Sequence, residues 1–224
     1  MRYLVVNADD FGHSAEVNEG IVEAHERGVV TSASLMVRRP AARDAARYGG
    51  SLSVGLHVEL GEWRVIAGRW ITAGRVAAAD VEAEVRAQLE RFGELTGRAP
   101  THLDSHQHVH RSEPARSVVA AIGAELGVPV RGSANGVRYV GGFYGQSDDG
   151  TPWPEGISVA NLVRLIDGLG EGYTEIGCHP ACGVPRGTSY APERDVERRV
   201  LCDVAVRAAL DSTGVHLVSF ADVP

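Results

Sequence analysis

Residues 5–12 read VVNADDFG, and this segment joins an apolar run to two adjacent carboxylates. Together with Leu4, the valines predict a short buried strand, because continuous apolar runs of this length are typical of parallel sheets. Gly12 interrupts the run, so Asp9 and Asp10 are expected where the strand ends and the backbone turns. Both side chains could then enter one pocket. Two carboxylates in one pocket repel each other unless a cation neutralises one of them, so the segment predicts a metal site.

The composition is that of an ordinary globular protein. The 224 residues contain 44% hydrophobic and 23% charged side chains, and we expect residues 1–224 to form a single domain. The formal net charge of -7, with no basic run, argues against a nucleic-acid partner. No segment approaches the roughly 20 apolar residues of a membrane span, and the N-terminus lacks a signal-peptide core. Three cysteines indicate a reducing compartment and no disulfide framework, so we expect a cytoplasmic protein. Because no apolar segment is long enough to span a membrane, we expect no membrane partner.

Hydrophobic periodicity predicts seven strands that alternate with helices. The predicted strands cover residues 2–7, 29–37, 52–58, 101–106, 128–131, 173–179 and 215–220. The predicted helices cover residues 14–28, 40–48, 79–96, 114–126, 158–169 and 192–212, and residues 61–76 and 132–157 are interpreted as loops. This alternation indicates a parallel sheet with crossover helices. No glycine-rich phosphate-binding motif follows any predicted strand, which argues against a nucleotide-binding sheet.

Chemically active side chains follow four of these strands. They lie at Asp9–Asp10, His57, Asp104–His106 and Glu175–His179. Barrels of alternating strands and helices collect catalytic groups at the carboxyl ends of their strands. The pattern therefore favours an irregular (β/α) barrel of about seven parallel strands with outer helices.

Three of these residues form the simplest ligand set for a metal. Asp10, His57 and His106 offer one carboxylate and two imidazoles, which is typical of an open site with room for water and substrate. A single histidine is more often structural. Unrelated structural histidines would not be expected to collect at strand ends, so the joint pattern favours metal binding. His108 and His110 follow at every second residue and are expected to line the mouth of the site.

Two other motifs have competing interpretations. Cys178 and Cys182 flank His179 and could form half of a zinc site, but the chain contains no second half. Trp63 and Trp70 are more often residues that pack a loop than platforms for a sugar ring.

Four blocks of the sequence resemble the signature blocks of the YdjC-like carbohydrate deacetylases. They are NADDFG at 7–12, GLH at 55–57, THLDSHQHVH at 101–110 and EIGCHP at 175–180. The resemblance spans nearly the whole chain. It implies a deformed (β/α) barrel and a metal-dependent hydrolase that removes acetyl groups from N-acetylated sugars such as chitooligosaccharides.

The resemblance also implies roles for individual residues. Asp10, His57 and His106 would bind one divalent metal ion, Asp9 would be the general base, and His179 is the candidate general acid. The ligand set suits zinc, manganese, cobalt or nickel, while members of the family are often described with magnesium. The expected partner is a small acetylated sugar, and a homodimer is compatible with the sequence.

Further residues are expected around this centre. Arg131 could orient Asp9 or bind substrate, and its alternative interpretation is a surface arginine. Asp104 and Glu175 are expected to orient the histidines from behind, and His108 and His110 to support the site or contact substrate.

Two rival hypotheses remain open from the sequence. A metallohydrolase of a different amide or of a phosphoester would use similar residues, and two metals about 3.5–4 Å apart would favour it. A catalytically silent carbohydrate-binding protein is the other rival. The presence of Asp9, Asp10, His57 and His106 argues against that second rival.

Overall fold

The computed structural model describes residues 1–48, 50–66, 69–133, 136–147 and 149–224. Its strands are β1 (Arg2–Phe11), β2 (Ser32–Leu35), β3 (Ser53–Val58), β4 (Glu62–Ile66), β5 (Arg69–Ala73), β6 (Leu103–Ser105), β7 (Val137–Val140), β8 (Gly172–Cys178) and β9 (Val215–Leu217). Its α-helices are α1 (Ala15–Glu26), α2 (Ala42–Ala46), α3 (Val81–Thr96), α4 (Ala115–Leu126), α5 (Val159–Asp167), α6 (Pro192–Leu201) and α7 (Val204–Thr213).

Seven of the described strands form one parallel sheet, and six of them follow one another in the order β6-β3-β2-β1-β8-β7. The seventh, β9, pairs with the first residues of β1, while β2 pairs with the last ones. The sheet curls into a half-barrel surrounded by helices, which confirms the predicted irregular (β/α) barrel. Because all seven strands are parallel, their carboxyl ends meet at one edge.

Strand β1 lies at the centre of this sheet. Its residues 4–11 are all buried, with α1 packing its buried Val17, Ile21 and Ala24 into the same core. At the carboxyl end of β1 the register with β2 shifts between Ala8 and Phe11. Asp10 has a φ of 66°, a left-handed conformation that aspartate tolerates better than most residues. This local turn allows two adjacent carboxylates to face the same side.

The region of residues 61–76 was predicted to be a loop, and this is wrong. Strands β4 and β5 form an antiparallel hairpin in which Glu62 pairs with Ala73. Gly61 and Gly74, which suggested a loop, lie at the two ends of the hairpin and have φ values of 116° and 62°. The side chains of Trp63 and Trp70 lie outside the described residues.

The predicted strand at 128–131 is also wrong, because only Val130 makes a parallel bridge, to Leu103. Pro129 has no N–H to donate to a strand ladder. The sheet instead gains β7 from the predicted loop of residues 132–157, which also contains a short 3-10 helix, Pro154–Ile157.

The long helix predicted over residues 192–212 is divided into α6 and α7. Asp203 stands between them, and its carboxylate accepts the N–H of Ala205 at 2.8 Å, which caps the start of α7. The other predicted helices appear within a few residues of their expected bounds. None of the described helices is both long and apolar enough to cross a membrane.

Helix α1 packs closely against the chain that follows β8. A Cβ atom on Gly20 would lie 2.3 Å from the Cα of Ala181, two residues after His179. Gly93 in α3 is also helical, but a Cβ atom there would meet no atom within 4 Å. These two glycines form a matched pair.

We expect Gly20→Ala to destabilise the protein by about 1–3 kcal/mol, because the new methyl group overlaps backbone that cannot move aside cheaply. Gly93→Ala should stabilise it by up to about 1 kcal/mol, since alanine is the better helix former in open space. Urea unfolding of both variants measures the difference. Equal effects of the two substitutions would contradict the close packing.

Candidate metal and catalytic site

The three predicted metal ligands lie together at the carboxyl edge of the sheet. Asp10 is the second-to-last residue of β1, His57 lies in β3, and His106 directly follows β6. The Oδ1 atom of Asp10 is 3.4 Å from Nε2 of His57 and 3.1 Å from Nδ1 of His106. The donor atoms all lie within 4.8 Å of one another. One carboxylate and two imidazoles at this spacing suit a divalent ion of the zinc type.

His57 is oriented by a carboxylate behind it. Its Nδ1 lies 2.7 Å from Oδ1 of Asp104, and the Ser34 hydroxyl donates to Oδ2 of Asp104 at 2.8 Å. This leaves Nε2 of His57 to face Asp10, the arrangement found behind many metal-binding histidines. Burial opposes protonation of the ring, but Asp104 and Asp10 outweigh it and raise the pKa of His57 well above its usual value.

Arg131 is fully buried and lies among three carboxylates. Its Nη1 and Nη2 atoms each donate to Asp9 at 2.6 Å, and Nη2 lies 2.9 Å from Oδ2 of Asp104. Its Nε atom donates to Glu175 at 2.7 Å. Asp9, His57 and Asp104 also form a group of closely spaced donors, but Arg131 already supplies the positive charge there. The arginine is therefore an internal cation of this site.

The three carboxylates respond differently to this environment. Burial would raise the pKa of Asp9, but Arg131 outweighs it and the pKa falls below the usual value. The same balance lowers the pKa of Asp104. For Glu175 burial prevails over Arg131 and raises the pKa to about 7. Asp9 is thus a carboxylate at neutral pH, and it also accepts a hydrogen bond from the Asn7 side chain at 2.9 Å.

His179 follows β8 and lies between Asp9 and a second buried acid. Its Nε2 is 3.8 Å from Oδ2 of Asp9, and its Nδ1 is 4.0 Å from Oε1 of Glu197. Glu197 accepts hydrogen bonds from the His179 backbone N–H and from the Tyr190 hydroxyl. Burial is the main cause that lowers the pKa of His179 to about 4 and raises that of Glu197 to about 8. At neutral pH the proton of this pair therefore resides on Glu197.

Arg194 contacts the metal-ligand side of the site. Its Nη2 donates to Oδ2 of Asp10, and its Nε donates to the carbonyl of Tyr190 at 2.7 Å. Burial opposes ionisation of Asp10, but Arg194 and His106 lower its pKa well below the usual value. Each of the two adjacent aspartates thus has its own buried arginine.

The two later histidines of the 101–110 block occupy different places. Gln107 and His108 have φ values of 52° and 53°, so the chain leaves the strand direction after His106. His108 lines the cavity, with Nε2 3.3 Å from the Tyr139 hydroxyl. His110 is buried away from the cavity, where Nε2 lies 3.0 Å from the carbonyl of Arg131 and Nδ1 contacts the Ser105 hydroxyl. It supports the backbone of Arg131.

The site opens into a cavity of about 630 Å³. One wall is aromatic, with the rings of Tyr144 and Tyr190 stacked 4.3 Å apart and His179 against the edges of both. The charged and titratable part of its lining includes Asp9, Asp10, His57, His106, Arg111, His179 and Arg194. Polar and aromatic walls of this kind suit a small polar ligand with apolar ring faces.

Several side chains of the site were not identified from the sequence. The sequence places Arg194 and Glu197 in a helix, and the structure shows that they share its buried face with Val200 and Leu201. Charged residues at positions that helical spacing reserves for the core are a signal of a buried polar network. Ser34, Tyr144 and Tyr190 carry no comparable signal, because the long-range pairing that brings them in is not local in sequence.

The cysteines do not join the site. Cys178 is buried beside the carbonyl of Asn7, and Cys182 contacts Glu23. The groups of three close metal donors found among the described residues contain no cysteine.

Comparison with known proteins identifies related sequences along almost the whole chain. A family model described as YdjC-like protein matches residues 3–212. A carbohydrate deacetylase of Geobacillus stearothermophilus is 37% identical, with 99% of this chain and 98% of the relative covered. A chitooligosaccharide deacetylase of Escherichia fergusonii is 34% identical, with 99% of each covered. A crystal structure of a proposed cellobiose-phosphate cleavage protein from Enterococcus faecalis has a TM-score of 0.82 at 25% identity, covering 98% of this chain and 97% of that one.

We expect Arg131→Met to destabilise the protein by about 3–5 kcal/mol at pH 8, because three buried carboxylates lose their cation. Without the guanidinium, burial raises the pKa values of these carboxyls above their unfolded values near 4. Groups with a raised folded pKa favour the fold only while protonated, so the penalty should shrink as the pH falls from 8 to 5.

Urea unfolding at both pH values measures this change. Arg116→Met is the control, since Arg116 is exposed and forms its ion pair with Glu113 at the surface. A penalty for Arg131→Met that is the same at both pH values would contradict the proposed charge balance.

Proposed function

Because this chain belongs to the YdjC-like family, we propose that it is a metal-dependent carbohydrate deacetylase that hydrolyses the acetamide of an N-acetylated sugar. The observation that carries the proposal is one cavity with a ligand set of Asp10, His57 and His106 beside a separate ionised carboxylate, Asp9. Relatives named carbohydrate deacetylase and chitooligosaccharide deacetylase support the substrate class.

Asp10, His57 and His106 are the residues that would hold one divalent ion. When bound, such an ion polarises the acetamide carbonyl and lowers the pKa of water. Two imidazoles and one carboxylate favour zinc, manganese, cobalt or nickel over magnesium. The Asp104–His57 hydrogen bond uses Nδ1 of the ring and leaves the lone pair of Nε2 available to bind the ion.

Asp9 takes the proton of the attacking water. Arg131 and Asn7 fix its carboxylate without removing it from the cavity, since Asp9 lines the cavity wall. A general base must be ionised before the reaction, and Arg131 maintains that state by lowering its pKa. The lowered pKa makes Asp9 a weaker base. The reaction tolerates this because a bound ion would also lower the pKa of the water.

His179 and Glu197 supply the proton that the leaving amine needs. Glu197 carries that proton at neutral pH, and His179 lies between it and the cavity. As the C–N bond breaks, Nε2 of His179 gives its proton to the amine nitrogen. Glu197, whose Oε1 lies 4.0 Å from Nδ1, replaces that proton when the two side chains come within hydrogen-bonding distance. Asp9 then holds the proton of the attacking water, and its Oδ2 lies 3.8 Å from Nε2 of His179, so this proton returns to Glu197 through the histidine. The net reaction converts water and the acetamide into acetate and a protonated amino sugar.

The phosphoester hydrolase is the weaker alternative. A pair of metals is typical of many such enzymes. In the described part of the chain, the second group of closely spaced donors surrounds the guanidinium of Arg131, which leaves one group free for an ion. This favours the single-metal deacetylase.

We expect Asp9→Asn to retain the metal and to lower kcat by about 10²–10⁴-fold, because the base is lost while the ligands remain. His57→Ala should lose the metal, since one of three ligands is removed. Elemental analysis and acetate release from a panel of N-acetylated sugars measure both effects. Full turnover by Asp9→Asn, or full metal occupancy in His57→Ala, would contradict these roles.

We expect Glu197→Gln to lower kcat by about 10²-fold, because the amide oxygen still accepts the His179 N–H and the amide nitrogen donates to the Tyr190 hydroxyl, but the side chain has no acidic proton to release. In the unmodified enzyme, kcat/KM should fall as the pH rises through about 8, where Glu197 loses its proton. This limb should disappear in the variant. Glu193→Gln on the same helix is the control and should retain the limb. Unchanged turnover and an unchanged pH profile in Glu197→Gln would exclude Glu197 as the proton source.

A further inference from the structure

The two carboxylate oxygens of Asp10 have different partners. Oδ1 faces His57 and His106, whereas Oδ2 accepts a hydrogen bond from Arg194. Arg194 is 2% exposed and belongs to α6, far from Asp10 in sequence. The steps proposed above for the reaction give Arg194 no role.

Arg194 is held firmly in this position. Its Nε donates to the carbonyl of Tyr190 at 2.7 Å, and Nη1 lies 3.4 Å from the carbonyl of His179. The guanidinium also lies 5.7 Å from the centre of the Tyr190 ring. Because these contacts use all three nitrogens, the side chain cannot leave Asp10 without losing hydrogen bonds to the chain that carries His179.

We propose that Arg194 is a positioning residue that restricts Asp10 to one ligand oxygen and limits the affinity of the site for its divalent ion. A fixed positive charge competes with the ion for the negative charge of Asp10. Its hydrogen bond also keeps Oδ2 from turning towards the ion. This inference rests on the metal site of the proposed function and concerns how strongly that site binds.

Removal of Arg194 should change the metal affinity in opposite directions for a competing role and for a purely structural role. If Arg194 only stabilised the local fold, its removal would disorder Asp10 and weaken metal binding. If Arg194 competes with the ion, its removal tightens binding, because the ion becomes the main partner of a buried carboxylate. The metal-free protein should lose stability at the same time, so the ion should stabilise the variant more than it stabilises the unmodified chain.

The test is calorimetric titration of the metal-free, full-length protein with Zn²⁺ and with Mn²⁺. We expect Arg194→Met to bind each ion at least about tenfold more tightly than the unmodified chain. Arg194→Lys retains the charge and should stay within about threefold. Arg198→Met, one turn further along α6, is the control, because Arg198 pairs with Glu23 and Asp195 away from Asp10.

Absorption spectra of the Co²⁺-loaded proteins give a second measurement. Arg194→Met should show a change in the visible bands that reports an additional oxygen ligand, while Arg198→Met should not. If Arg194→Met does not fold, Arg194→Gln removes the charge with a polar side chain and should also bind more tightly.

Metal affinity that is equal or weaker in the folded, charge-removing variants would overturn this inference while leaving the proposed function intact. An unmodified chain that binds neither ion would overturn the metal site itself, and with it both proposals.

Discussion

The buried guanidinium of Arg131 makes the rest of this site feasible. It joins carboxylates from three strands, Asp9 of β1, Asp104 of β6 and Glu175 of β8. Burying three carboxylates without a cation would cost several kcal/mol for each charge. The same guanidinium occupies one of two groups of metal donors, so a single group stays available. One interaction therefore links three strand ends, and it agrees with the single ion that we propose.

A second buried arginine, Arg194, gives each of the two adjacent aspartates its own positively charged partner. Asp9 accepts hydrogen bonds from Arg131, while Asp10 contacts Arg194 and the two histidines. Adjacent residues of a regular strand would face opposite sides. The left-handed φ of Asp10 removes that alternation, so that both acids reach one cavity with different partners. The chemistry we propose depends on this local departure from strand geometry.

Much of this arrangement was predictable from the sequence, for physical reasons. The parallel sheet is predicted from apolar patterns of strands that alternate with those of helices. In such a sheet Asp10, His57 and His106 lie at one edge whatever the order of the strands. What escaped prediction depends on long-range partners. The glycines around the 61–76 hairpin resembled loop signals, and the helix at 192–212 concealed a break at Asp203. The roles of Arg194 and Glu197 depend on their contacts with Asp10 and His179, which lie at strand ends outside α6.

Measuring metal stoichiometry and product together tests most directly whether the protein is a single-metal deacetylase. Metal-free protein is titrated with Zn²⁺ or Mn²⁺ while acetate release from N-acetylated chitooligosaccharides is followed. We predict that acetate release rises with added ion and reaches its maximum at one equivalent per chain. Activity that requires two equivalents, or hydrolysis of phosphate esters in place of acetamides, would contradict the account.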